Sequence, residues 1–188
     1  MSVIDILITI ISTPIVWIVV IYIIYVYNKL VKSRNIQTEA WSGVDVQLKK
    51  RHDLVPNLIN IVKTYAAYES ELIEKVTLAR SSAMEAKMIN EKSSGEGLLG
   101  AQLGNLMVLV EDYPDLKAND NFLDLQENLA DIEDTIQHAR RYYNGSVRDL
   151  NNLIEKIPSN IVARLFRFKK ADFFEIQDAQ ERKVPKSY

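Results

Sequence analysis

The feature that most limits what this chain can fold into is a run of 22 consecutive residues without a charge, Ile6 to Tyr27 (ILITIISTPIVWIVVIYIIYVY). As a helix it spans about 33 Å, enough for the roughly 30 Å hydrocarbon core of a bilayer. Helix is the form to expect, because in lipid it closes its own backbone hydrogen bonds within one segment. Pro14 removes one such bond and is tolerated as a kink. Trp17, Tyr22, Tyr25 and Tyr27 crowd the second half, and the last of these suit a membrane–water boundary. A cleaved signal peptide would have a basic start, a shorter apolar run and a small-residue cleavage site. Here Asp5 occupies the start and no Ala-x-Ala pattern comes after it. A buried core helix is usually shorter and broken by polar residues. Residues 1–27 are therefore expected to be a retained anchor. Lys29, Lys32 and Arg34 follow the run and no basic residue precedes it. The positive-inside rule then puts the N-terminus outside and the rest in the cytoplasm, as a single-pass protein of the cell membrane.

Beyond the run, residues 28–188 carry 23 basic and 24 acidic side chains, so nothing draws them to nucleic acid. The chain has no cysteine, which excludes disulfide scaffolds, thiol catalysis, thiolate zinc sites and iron–sulfur clusters. Six Gly and five Pro are too few for a turn-rich β fold.

Apolar spacing gives the organisation. From Phe122 to Ile157, positions 122, 125, 129, 132, 136, 139, 143, 146, 150, 153 and 157 alternate steps of three and four, and only Ser146 among them is polar. That is a helical seam, with Pro158 ending it. A second seam runs from Trp41 to Ala83, through 44, 48, 55, 58, 62, 65, 72, 76 and 79, and its register also lands on Arg51 and Glu69. Pro56 either kinks one long helix or lies in the first turn of a new one capped by Asp53. The unbroken register favours the kink. The length of a single helix over 28–91, about 96 Å, favours a turn near 52–55, which is the expectation adopted. Residues 91–97, EKSSGEG, read as a flexible linker. Leu99, Leu103, Leu106, Val110 and Tyr113 form a shorter amphipathic helix stopped by Pro114, and Asn119 or Asp120 caps the last long helix. The expected fold is all-α: an N-terminal transmembrane helix, then an antiparallel up-and-down four-helix bundle with long helices at about 28–52, 54–91, 98–112 and 120–157. The expected domains are an anchor over 1–27, a bundle over 28–157 and a basic-aromatic segment and tail over 158–188.

Assembled catalytic chemistry is not legible. A carboxylate-bridged dimetal bundle needs Glu-x-x-His on two helices, but Lys49 and Thr135 stand three residues before the only histidines, His52 and His138. Asp134 and His138 form a lone pair on one helix face. Glu133/Asp134 and Glu111/Asp112 read as solvated acids. Lys49-Lys50-Arg51 reads as a cationic helix C-terminus complementing the dipole. No phosphate loop or nucleophile elbow occurs. The expectation is no enzyme activity, no cofactor and no metal. The stretch Ile161–Lys170 (IVARLFRFKK) is basic, aromatic and amphipathic, the composition of a membrane-surface contact, with Arg164, Phe166, Arg167, Phe168, Lys169 and Lys170 as its candidate contacts. Docking of its apolar face on the end of the bundle is an equal alternative. Four helices would return this tail to the bilayer, whereas a mere kink at Pro56 would leave it far away. An echo also links Tyr27-Asn28, Val31-Lys32 and Asn35 to Tyr143-Asn144, Val147-Arg148 and Asn151, at offsets that trace one helical stripe.

The runs Tyr27-Asn28-Lys29-Leu30-Val31, Ala40-Trp41, Val44 to Arg51 (VDVQLKKR) and Asp53-Leu54-Val55-Pro56-Asn57-Leu58 resemble the LemA family. So do Tyr113 to Asn119 (YPDLKAN) with Phe122, Leu125-Gln126 and Leu129, then Arg141 with Tyr143-Asn144, and Pro158-Ser159-Asn160 leading to Phe166 and Phe168. The resemblance covers about 27–175. It departs at His52, where Tyr is usual, and at Arg167, where Gly often stands between the two Phe. It implies one N-terminal span and a helical soluble domain, supplies no catalytic or ligand residues, and suggests a link to membrane peptidases or other envelope quality control. The expected function is a membrane-anchored helical-bundle scaffold or adaptor that binds partner proteins. The alternative is a lipid-surface-binding, membrane-organising protein that uses the basic-aromatic segment.

Overall fold

The computed structural model describes the backbone of residues 3–175 and the side chains from residue 14 onward. Met1 and Ser2 of the anchor, the side chains of its residues 3–13, and the tail from 176 lie outside the described residues. Among the described residues there are six helices: α1 (Val3–Tyr65), α2 (Ser70–Glu85), α3 (Ile89–Val110), α4 (Pro114–Lys117), α5 (Asp120–Glu155) and α6 (Ser159–Leu165). No strand occurs among the described residues. The all-α expectation holds, and α1 carries an 18-residue window of mean hydropathy 1.9 that is long and apolar enough to cross a membrane.

Packing divides the chain into two compact units. Among the described residues, one combines 3–39 with Gly145–Ala171, and the other combines Ala40–Asn144 with 172–175. In the second, larger unit, Val55, Leu58 and Val62 of α1, Ile73 and Val76 of α2, Leu99, Leu103 and Leu106 of α3, and Phe122 and Leu129 of α5 close around one core. Side-chain contacts fix the directions. Arg80 of α2 meets His52 of α1, so α2 runs back along α1. Tyr113 bonds Glu69 at 3.2 Å and Gly95 faces Ala83, so α3 opposes α2. Asn119 reaches Tyr65 at 3.1 Å and the Trp41 ring packs tilted against that of Tyr143, so α5 opposes α1.

Two sequence expectations fail here. The turn near 52–55 does not exist, because α1 passes through Pro56 without a break and the chain reverses at 66–69 instead. Proline at 56 has no N–H for the carbonyl four residues earlier, which is that of His52. Arg80 Nε donates to that carbonyl at 2.7 Å, so the group orphaned by the ring is satisfied from the neighbouring helix. The helices expected at 28–52 and 54–91 therefore give way to α1 and a short α2. Lys49-Lys50-Arg51 lies mid-helix and complements no C-terminus.

The flexible linker over 91–97 is also overturned, since these residues lie inside α3, where Ser93, Gly95 and Glu96 are buried. Glu91 accepts the Met88 N–H at 3.2 Å and so closes the first turn. A Cβ on Gly95 would stand 3.0 Å from the Ala83 Cα, so glycine is there to let two helices touch. The last seam fares better: Phe122, Leu129, Ile136, Tyr143, Ser146 and Leu150 are buried, and Asn119 Oδ1 caps α5 by accepting the Phe122 N–H at 3.1 Å. Ile157 is the exception, beyond the helix end and exposed.

Candidate functional site

The larger unit holds a charged cluster inside its packed helices. Arg51, on the apolar seam of α1, is only 2% exposed, and Glu96 of α3 is 1% exposed. The guanidinium donates to Glu96 Oε2, to the Glu96 carbonyl at 3.3 Å and to Glu133 Oε2 of α5 at 2.6 Å. His52 Nε2 stands 2.8 Å from Glu96 Oε1, close enough for an ion pair when the ring is protonated, though off the line of a good hydrogen bond. Burial alone pushes the Glu96 carboxyl up, but His52 and the charge and hydrogen bond of Arg51 together outweigh it and hold it below its ordinary value. A carboxylate held low and locked to a guanidinium is a weak proton acceptor at neutral pH. Its physical effect is to tie α1, α3 and α5 together in one register.

An aromatic corner is a second feature of this unit. Trp41 lies 5.2 Å from the Tyr143 ring and 5.6 Å from the fully buried Phe174. The Tyr143 hydroxyl donates to the Asp172 carbonyl at 2.8 Å. Asn144 grips the Phe174 backbone from both sides, accepting its N–H at 2.9 Å and donating to its carbonyl at 3.0 Å. The Ser93 hydroxyl donates to the Glu175 carbonyl. An amide side chain thus plays the part of a neighbouring strand for an extended segment. Lys92, paired with Asp45, places its ammonium 5.7 Å from the Trp41 ring.

In the smaller unit, Val162 and Ala163 of α6 dock on Val26 and Leu30 of α1. Of the six candidate membrane contacts, Phe168 is partly buried against this cluster, 6.0 Å from the Tyr27 ring and 5.3 Å beneath the Arg34 guanidinium. The Phe166 ring lies 4.7 Å from that of Tyr27. Lys170 pairs with Glu155. Arg164, Phe166, Arg167 and Lys169 are exposed. Docking therefore takes one face of the segment, while Ile161 and Leu165, each 67% exposed, stay outward on another. The segment Ile161–Lys170 thus lies beside the last turn of the apolar run even though Pro56 does not break α1, because the chain reversal has moved to 66–69. Arg167 sits at φ 57°, where glycine is most at ease. It comes after α6 in a Schellman turn, with Arg167 N–H on the Arg164 carbonyl at 3.2 Å and Phe168 N–H on that of Ala163 at 2.9 Å. Asn151 holds the Ala171 backbone through two 2.9 Å bonds.

The remaining sequence candidates separate. His138 Nδ1 lies 3.0 Å from the Arg141 guanidinium rather than joining Asp134. Glu111 pairs with Lys117, and Glu133 belongs to the Arg51 cluster. Glu96, Arg80 and the asparagine grips were missed from sequence. The signal for Glu96 was Arg51 itself, a cation on a seam position that demands a buried carboxylate. The signal for the grips was the Asn144–Asn151 echo, two poor helix formers held at a seven-residue interval.

The LemA family profile matches residues 40–187. Among named relatives, the magnetosome protein MamQ of Magnetospirillum gryphiswaldense and magnetosome protein MamQ 1 of Paramagnetospirillum magneticum are each 26% identical over 184 residues, covering 84% of this chain and 68% of the relative. Protein LemA of Metamycoplasma hominis is 26% identical over 175 residues, covering 89% of this chain and 78% of its own. With four-fifths of the described fold inside the matched region, and with the Trp41, Pro56 and Tyr143-Asn144 motifs given physical roles, the chain belongs to the LemA family.

Proposed function

We propose that this LemA-family chain is a membrane-anchored helical scaffold that engages partner proteins at the cytoplasmic face and performs no catalysis itself. The observation that carries the reading is α1. Its apolar stretch leaves Trp17, Ile18 and Ile21 about two-thirds exposed, and the same helix goes on to supply Val44, Leu48 and Val55 to the core of the larger unit. An apolar surface that the protein leaves uncovered is suited to lipid. Lys29, Lys32 and Arg34 favour the cytoplasmic side for the helical body beyond the span. The buried charges are engaged with one another, which supports a structural role. A membrane peptidase or another envelope quality-control component is the partner class that the family likeness favours.

A photo-crosslinker placed in turn at Leu78, Val108 and Tyr142, three exposed positions of the larger unit, tests the reading in native membranes. The expected result is one discrete adduct from a single face, with the captured protein binding the purified full chain and losing that binding when charges on the face are reversed. No adduct from any face, or binding that ignores the reversal, would overturn it.

A second reading, contact of the basic-aromatic segment with the lipid surface, rests on the outward Ile161 and Leu165 beside Arg164 and Phe166. A spin label next to Phe166 in vesicle-reconstituted protein is then shielded from an aqueous quencher. Full quenching would remove this reading.

A further inference from the structure

A groove of 690 Å³ runs between α1 and the end of α5 in the smaller unit. Lys29 and Lys32 stand on one wall and Lys156 on the other, and Tyr25 marks the end nearest the apolar run. None of the three lysines has a carboxylate partner among the described residues, whereas Lys170 and Arg34 of the same unit are engaged, with Glu155 and Phe168. One acid, Asp149, lines the groove, and Arg148 lies 3.8 Å from it. Asn28 and Asn152 add side-chain amides that make no hydrogen bond among the described residues.

Position along α1 names the ligand. The uncharged run ends at Tyr27, so Lys29 lies about 3 Å and Lys32 about 7.5 Å further along the helix. The headgroup layer extends about 5–7 Å beyond the hydrocarbon core on each side. Lys29 therefore starts within the headgroup layer and Lys32 at its outer edge, where an anionic leaflet attracts juxtamembrane lysines. We infer that this groove binds the headgroup of an anionic phospholipid, with the phosphate among Lys29, Lys32 and Lys156, the glycerol oxygens at Asn28 and Asn152, and the acyl chains along the exposed face of the span beyond Tyr25. A free phosphate has the same charge but gains nothing from the adjoining apolar helix.

The site rests on the anchor reading and is tested separately from it. Full-length protein in mild detergent is titrated with phosphatidylglycerol, phosphatidylcholine or inorganic phosphate, and bound molecules are counted by native mass spectrometry. Phosphatidylglycerol is expected to bind at least about tenfold more tightly than phosphatidylcholine, since each lysine near an anionic headgroup contributes about fivefold. Lys29→Gln, Lys32→Gln and Lys156→Gln together abolish that preference. Lys49→Gln, Lys50→Gln and Lys63→Gln, three exposed cations of the other unit, leave it intact. All six side chains are exposed, and helix content is checked by circular dichroism. Unchanged preference in the groove variant, equal loss in the control variant, or saturation by inorganic phosphate alone would each overturn the assignment. Membrane insertion with no headgroup preference ends this proposal and leaves the anchor standing. Failure to insert ends both.

Discussion

In the unit built on Ala40–Asn144, the charges inside are held by one another: Arg51 by Glu96 and Glu133, and the His52 carbonyl by Arg80. In the unit that carries the apolar run, no charged side chain is buried among the described residues, and three lysines around its groove make no ion pair there. Both draw on the same two helices, α1 and α5. The difference teaches where polar groups are structural and where they are available. A buried charge needs its partner to exist at all, whereas an exposed unpaired cation costs little and remains free to bind.

The sharpest way to break that contrast is Glu96→Gln. It leaves Arg51 buried with Glu133 as its only carboxylate and is expected to cost about 3 kcal/mol or more in denaturant unfolding of the solubilised chain. Because the folded-state carboxyl titrates below its ordinary value of 4.5, its stabilisation is fully present above that pH and is lost as pH falls through the folded value. The Glu96→Gln chain should show a flatter acid limb. A cost under about 1 kcal/mol would mean that the cluster does not hold the helices.

Next in size is Arg80→Leu, which strands the His52 carbonyl and is expected to cost about 1–3 kcal/mol. In a Pro56→Ala background the restored N–H serves that carbonyl, so the same substitution costs less. A double-mutant cycle that shows no coupling would contradict the role given to Arg80. Gly95→Ala comes after it. Overpacking against Ala83 costs about 1–3 kcal/mol against a helix-propensity gain of about 1, for a net loss near 1 kcal/mol. At Gly100 and Gly104 an added Cβ meets nothing within 4 Å, and alanine there should stabilise by up to about 1 kcal/mol. Thermal melts of the three variants give the signs. The smallest effect belongs to the other unit. Arg167→Gly relieves the positive φ and should raise stability by up to about 1 kcal/mol, while Arg167→Val lowers it. Melting temperatures in the opposite order would reject the Schellman turn.

These contrasts also show what was legible in sequence. Helical periodicity placed the core along Phe122–Leu150 and Leu99–Val110, because burial of one stripe leaves its signature in spacing. Asn119 was readable as a cap because its chemistry is local. Pro56 misled, since its missing hydrogen bond is answered by Arg80, 28 residues from His52, and local rules cannot see such a partner. Ser93, Gly95 and Glu96 misled for a related reason. Small and polar residues signal a loop when read alone, but here they allow a close helix approach and neutralise Arg51. The lysine groove escaped notice because Lys156 is separated from Lys29 and Lys32 by more than a hundred residues.

The central claim, that one apolar stretch at the start of α1 tethers a helical LemA-family body, is tested most directly by alkaline carbonate extraction of membranes from cells producing the full chain. Intact, uncleaved protein should stay in the membrane pellet, while a chain beginning at Asn28 should leave it. Recovery of the intact chain in the soluble fraction without detergent would contradict the account.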